Sequence, residues 1–454
     1  MMRLRTWAIA FSIVALILAS IVLVFQQPPP EVVNSGDGGD DWLNGEAADL
    51  SDYIVPRQQN DFDWANMTDA PTWRIGDKWT YEGRLDATSV IDDAGVEGAA
   101  INDLLTGDSY LQVDDLSTMQ FSGEDTLTYS LHLWGTFSGI ATFPVPLLQT
   151  YSDTLVVRYD AYEYIRMSDL AIMNKSENLQ IEFEHPFGVE PIADISIEST
   201  YNPPLEWWDF PLGLNETWLA NHEITESYSG SSNYVDLPTE DEKEQNNWRF
   251  INIEEGFGKD QNSDCNNSRN VTAFNEENKA KAWRWYCPSV GQWSWRVGEV
   301  PLGVTGDFRL ISYQPSSTRE STPEISVEMM QKGVNKSVTV GLWVNSTYQN
   351  MSFAGVQGEL FYGCCEIISF TTDENGSAWI MLNSGNNFDT TPTFDDLASH
   401  GLIAKINGTD QAGIASLTIY GSALGEELRA NGATQQWQPH SLGIHHLSIA
   451  SSVL

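Results

Sequence analysis

Basic residues are scarce in this sequence. Its 454 residues hold 23 lysines and arginines against 63 acids, a formal net charge of −40. A field of that sign repels nucleic acid and anionic membrane surfaces, so no nucleic-acid partner is expected. Disorder, the other common companion of high charge, does not fit the body of the chain, which is 11% aromatic and holds 17 tryptophans. The charge reads as that of an acidic proteome adapted to salt water rather than as a dedicated binding surface. Histidine is scarce too, with seven scattered copies at His132, His185, His222, His400, His440, His445 and His446. The last two are neighbours on a predicted strand and would face opposite ways, which makes them poor co-ligands. HEITE (222–226) begins like a zinc-binding helix but has Glu226 where the second histidine must stand. There is no Gly-x-Ser-x-Gly, no Walker loop and no Cys-x-x-Cys. No metal, cofactor or catalytic centre is therefore expected, and among 63 acids accidental carboxylate pairs carry no information.

Only four cysteines occur. Cys265 and Cys287 bracket a polar stretch, and closing a loop of that length stabilises by roughly 3 kcal/mol on the chain-entropy account. A disulfide is predicted there. Cys364 and Cys365 are adjacent, so on a strand they would point to opposite faces. They are either two separate thiols or one bond to a partner molecule.

Long apolar runs are limited to one. Trp7 to Phe25 is uncharged for 19 residues and follows Arg3 and Arg5. As a helix it would extend ~28 Å, close to a ~30 Å hydrocarbon core. The run is long for a cleavable signal peptide and ends without a small-x-small site. Residues 1–25 are thus expected to be an uncleaved signal-anchor, a cleaved signal being the alternative. No cysteine follows, which excludes a lipoprotein anchor. The arginines would stay in the cytoplasm, residues 7–25 would contact the membrane, and the body would lie outside the cell. Asn-x-Ser/Thr triplets fit that placement, at Asn66, Asn174, Asn215, Asn266, Asn270, Asn335, Asn345, Asn350, Asn375 and Asn407. Each is a glycosylation candidate if its asparagine is exposed.

Residues 26–63 begin with three prolines, and from Glu31 to Asp63 hold nine acids against Arg57 alone. Such a segment cannot bury enough apolar surface to fold and reads as an acidic disordered linker. Beyond it the pattern is strand-like. DKWTYEGRL (77–85), DTLTYSLHLWGTF (125–137), DTLVVRYDAYEYIRM (153–167), LQIEFEH (179–185), ADISIESTY (193–201) and GDFRLISYQ (306–314) alternate and are rich in β-branched and aromatic residues. One short helix is expected within 89–107. Residues 64–321 should form a large curved antiparallel sheet or open barrel. From 322 to 454 charge density falls to twelve acids and four bases, and shorter strands recur with turn signals between them. That is the pattern of a β-sandwich. The fold expected is all-β with one N-terminal transmembrane helix.

A short internal echo joins Ile75-Gly76-Asp77-Lys78-Trp79 to Leu214-Asn215-Glu216-Thr217-Trp218. Both read as a tight turn feeding a strand with tryptophan as its first inward anchor, which would suit a duplicated half-barrel. Phe-Pro-Leu-Gly-Leu-Asn-Glu-Thr-Trp (210–218), with Tyr-Ile-Arg-Met-Ser-Asp-Leu-Ala (164–171) before it, resembles membrane-anchored extracytoplasmic β-domains of archaea and bacteria. Their pattern is Phe-Pro-Leu-x-aliphatic-Gly-x-x-Trp, and this chain departs from it at Asn215. Those domains are similar in outline to LolA-like half-barrels, and the resemblance implies a concave sheet able to hold an apolar ligand. Phe-Thr-Thr-Asp-Glu-Asn-Gly-Ser-Ala-Trp-Ile (370–380) resembles the turn hairpin of Ig-like and carboxypeptidase-regulatory-like surface modules. It implies a spacer or adhesive role, with Gly376 in the left-handed position.

Tryptophan is the residue in excess. KAWRWYCPSVGQWSWRV (281–297) carries Trp283, Trp285, Trp293 and Trp295, and Trp207-Trp208 lie upstream. In regular strands each spaced pair shares one face. The choice is core, each ring worth ~2–3 kcal/mol buried, or an exposed platform for a glycan. The function expected is that of a membrane-anchored surface protein with a structural or binding role toward a glycan or protein partner. The alternatives are a carrier or sensor of an apolar ligand, and a carbohydrate-binding protein using exposed tryptophans.

Overall fold

The structure, a computed structural model, describes residues 67–420 apart from short internal stretches, the longest of them 384–396. The proposed anchor 1–25, the linker 26–63, Asn66, Asn215, Cys364, Cys365 and the predicted strand after 442 lie outside the described residues. Among those described, no helix is long and apolar enough to cross a membrane.

The first body is built from β1 (Lys78–Asp86), β2 (Ala100–Ile101), β3 (Leu105–Phe121), β4 (Glu124–Pro144), β5 (Thr150–Arg166), β6 (Ile172–His185) and β7 (Gly188–Leu205). It continues with β8 (Thr217–Ser232), β9 (Glu242–Gly256), β10 (Ser268–Phe274), β11 (Ala280–Cys287), β12 (Gln292–Val300) and β13 (Val304–Gln314). Neighbours pair antiparallel in the order β2-β4-β3-β1-β13-β12-β11-β10-β9-β8-β7-β6-β5, and β5 pairs back onto β4. Setting aside the two-residue β2, twelve strands close a barrel. The large antiparallel sheet or open barrel expected from the sequence is present, and it is closed rather than open. The chain meanders strand by strand, and β1 bridges β3 and β13, leaving no free edge. Within 89–107 the second half is strand, β2 and the start of β3; of the expected helix the described residues show helical geometry at Ile91, whose N–H bonds the Ala87 carbonyl.

Alternation sets the inside. In β1 every second residue is buried, so Trp79, Tyr81 and Leu85 enter the lumen and Lys78, Glu82 and Arg84 face out. Trp79 opens the first six barrel strands and Trp218 the second six, both with no exposed surface. Each indole N–H is capped by a loop carbonyl, Trp79 by Val290 at 2.9 Å and Trp218 by Glu206 at 3.2 Å.

The second body holds β14 (Glu324–Met329), β15 (Gly333–Asn335), β16 (Thr339–Tyr348), β17 (Met351–Ser352) and β18 (Gln357–Tyr362). It ends with β19 (Glu366–Thr371), β20 (Ser377–Asn383), β21 (Leu397–Ile406) and β22 (Ala412–Tyr420). One sheet runs β14-β16-β17 with β20 on β16; the other runs β15-β22-β21-β18-β19. They enclose a core of Val340, Leu342, Val344, Leu360, Leu402 and Leu417 among others. The 373–376 turn forms as expected, with Gly376 at φ +75° and Asp373 accepting the N–H groups of Asn375 and Ser377. It is not a hairpin, because β19 pairs with β18 and β20 with β16. The turn crosses from one sheet to the other.

Candidate functional site

The barrel lumen is sealed at one end. Trp73, Trp79, Trp207, Trp208, Phe210, Trp218 and Tyr286 fill it, joined to one aromatic core. The segment before β1 crosses this end, and the Trp73 indole N–H bonds the Gly291 carbonyl at 2.7 Å. The motif pieces that looked like a family signature meet here. Arg166 reaches Asp169 at 2.6 Å and Glu206 at 2.8 Å, tying the turn after β5 to the stretch before β8. Burial works against the Arg166 charge, but the two carboxylates more than offset it and raise its pKa. Cys265 and Cys287 are bonded, as predicted, in the same region. The sandwich docks against this end: Lys332 meets Asp69 at 2.7 Å, and Ile403 and Ile414 join the barrel's own core.

The six tryptophans named from the sequence are all buried, between 3% and 7% exposed. No exposed platform exists at 283–295. The spaced pair Trp293 and Trp295 does not share a face either. Trp285 pairs with Trp295, but Tyr286 pairs with Trp293, because a bulge interrupts the register between them. Trp293 therefore turns into the lumen and stacks on Tyr81 at 3.7 Å. Trp295 stays outside with Trp283 and Trp285, its N–H donated to Asp307 at 2.6 Å.

Midway along the lumen lies a belt of charge. Lys175 meets Glu177 at 2.6 Å and Glu163 at 3.6 Å, and the Tyr159 hydroxyl donates to Glu177 at 2.6 Å. Burial, then Glu177 and Glu163, holds the Tyr159 pKa well above the usual tyrosine range. Across from them Arg284 and Arg296 stand opposite each other on β11 and β12. Arg284 lies over the Trp207 ring at 3.7 Å, and Arg296 is 5.5 Å from the Phe308 ring. Burial, and then the like charge of Arg296, pushes the Arg284 guanidinium well below its ordinary pKa. Its Nε is buried without a hydrogen-bond partner.

Above the belt, toward the other end, the lumen opens into an apolar cavity of about 110 Å³. Leu85, Leu105, Phe137, Phe143, Leu155, Val157, Leu179 and Phe308 line it, and Arg296 is the one charged side chain among the described lining residues. An apolar cavity of ~150 Å³ already takes a benzene-sized molecule, so this one is of the order needed to admit part of an apolar ligand. A smaller space of about 20 Å³ lies beneath, lined by Glu163, Arg284 and Arg296 with Trp73, Trp207 and Trp208. The two share Leu111, Leu133, Trp293 and Arg296 in their walls.

Two exposed tryptophans escaped the sequence reading. Trp343 and Trp379 sit opposite each other on β16 and β20, each 41% exposed, with ring centres 4.7 Å apart. Met381 is exposed on the same sheet, and exposed Met330 directly follows its strand β14. Among the described sequons, Asn266, Asn350, Asn375 and Asn407 are exposed, and Asn174 and Asn345 are half-buried. Asn270 is 5% exposed and accepts a hydrogen bond from Thr272, so it does not present the exposed amide that a glycan requires. Asn335 lies on β15, where its side chain is outside the described residues. Among the described residues no three His, Cys, Asp or Glu side chains converge into a metal site.

No protein-family model and no curated protein matches the chain. Among solved structures it is similar to a polysaccharide lyase, at 7% identity over 77% of this chain with a TM-score of 0.19. It is also similar to a trypsin-activated alpha-2-macroglobulin from Escherichia coli, at 8% identity over 78% of this chain, again with a TM-score of 0.19. The chain spans 40% and 33% of their respective lengths, and a likeness this slight bears on neither fold nor activity.

Proposed function

We propose that this is a membrane-anchored, extracytoplasmic binding protein whose barrel holds an apolar ligand. The carrying observation is the lumen: a closed barrel, sealed by aromatic side chains at one end, that keeps an apolar cavity at the other. Close packing is the rule inside proteins, so an unfilled apolar chamber of this size needs a reason. The outline resemblance to LolA-like carriers leads to the same reading. An Ig-like module docked on the sealed end would serve as a spacer, and the doubled six-strand arrangement suits a duplicated half-barrel. The anchor rests on the run Trp7–Phe25 and the preceding arginines.

An apolar dye such as 1-anilinonaphthalene should gain fluorescence on binding the full chain. Val157→Trp, which fills the cavity from its wall, should abolish that gain while leaving the thermal midpoint within a few degrees. An absence of binding by the wild-type chain would overturn the reading. Topology is tested separately: protease added to intact cells should digest the body, and full protection would refute the placement.

The exposed Trp343–Trp379 pair favours a second, compatible reading, a glycan or protein contact on the sandwich face. Trp379→Ala should then weaken binding of the detergent-solubilised full chain to immobilised cell-surface glycans without changing dye binding.

A further inference from the structure

The lumen has a polarity that an apolar ligand alone would not need. We propose that the ligand ends in a carboxylate, seated between Arg284 and Arg296 with its hydrocarbon part in the cavity above. This rests on the reading of the barrel as an apolar-ligand binder and names the ligand's class, a medium-chain fatty acid.

The two guanidinium groups occupy directly opposed positions on neighbouring strands. Like charges so placed repel, and a low-dielectric interior enlarges the repulsion. Neither arginine has a carboxylate within ion-pair or hydrogen-bond distance among the described residues; their close contacts are aromatic rings. The nearby acids are already engaged, since Lys175 holds Glu163 and Glu177. Counting Glu163, Lys175, Glu177, Arg284 and Arg296, the belt carries one excess positive charge. A bound carboxylate removes that excess and supplies the forked acceptor that guanidinium geometry matches.

The volumes agree. The lower space, about 20 Å³, admits one or two water-sized atoms at ~10–15 Å³ each, the size of two carboxylate oxygens. The upper space takes only the chain, and Arg296 lines both. A ligand entering tail first would instead place its charge among Leu85, Leu105 and Phe143, where no partner waits.

The test uses the full chain with decanoate and decanol, which share a tail and differ in the head. Calorimetric titration should show decanoate binding at least tenfold tighter. Arg296→Met and Arg284→Met should each weaken decanoate about tenfold and leave decanol within twofold. Arg296→Lys should retain most of the preference, which separates a charge role from a packing role. Glu163→Gln should tighten decanoate several-fold by removing a neighbouring like charge, an effect no misfolded variant would produce. Equal affinity of wild type for both ligands, with the dye still bound, would overturn the head-group proposal and spare the cavity. Failure of dye, decanol and decanoate alike would overturn both.

Discussion

At the scale of single residues, burial decides chemistry here. His222 is 1% exposed inside the barrel, edge-on to the Trp248 ring and near Tyr201. Burial lowers its pKa to about 4, against a weaker opposing pull from the Ala220 backbone. The unfolded chain takes up that proton near pH 6.5. The neutral imidazole therefore contributes stability that is complete above about pH 6.5 and is lost as pH falls toward 4, by about 3 kcal/mol in all. Urea unfolding at pH 7 and pH 4.5 should show this loss, and His222→Phe should remove that share of it. Gly376 is a second such residue. Its φ of +75° and the backbone atoms 2.8 Å from an added Cβ leave no place for a side chain. Gly376→Ala should cost the sandwich about 2 kcal/mol, read from its denaturant midpoint.

At the scale of elements, the strands were legible because one face meets water and the other a core. All six strands read from the first body appear, as β1, β4, β5, β6, β7 and β13. Alternation would also have found the exposed pair: Val340, Leu342 and Val344 point inward, which turns Trp343 outward, and Ala378 and Ile380 do the same for Trp379. It failed at 293–295, where the bulge reverses a face and no residue in Gln-Trp-Ser-Trp announces it. The Cys265–Cys287 bond was legible from spacing and polarity alone. Replacing both cysteines with serine should lower stability by about 3 kcal/mol, and the wild-type chain should lose a similar amount in reductant.

At the scale of the whole molecule, the two bodies share a core. Ile403 and Ile414 of the sandwich lie in the barrel's cluster, and Asp69 takes Lys332 and the Ser416 N–H together. Gly401 permits the contact, since a Cβ there would lie 2.5 Å from the Ser168 side chain. Gly401→Val should separate the bodies. Limited proteolysis between β13 and β14 should then accelerate on the order of tenfold, while apolar-dye binding in the lumen persists. If dye binding falls with the docking, the sealed end depends on the sandwich for its shape.

The sequence by itself determined the all-β class, the disulfide and the places of most strands. Each of these follows from period-two patterning, composition or chain spacing, which are local. It did not determine that the sheet closes, that Trp293 faces in while Trp295 faces out, or that Arg284 and Arg296 oppose each other inside. Closure joins β4 to β5 and β1 to β13, and the last of these pairings links residues more than two hundred positions apart. Only the ring brings the arginines, the ion-paired acids and the apolar walls into one lumen, because pairing register across many strands, rather than any single strand's pattern, sets which side chains share an interior.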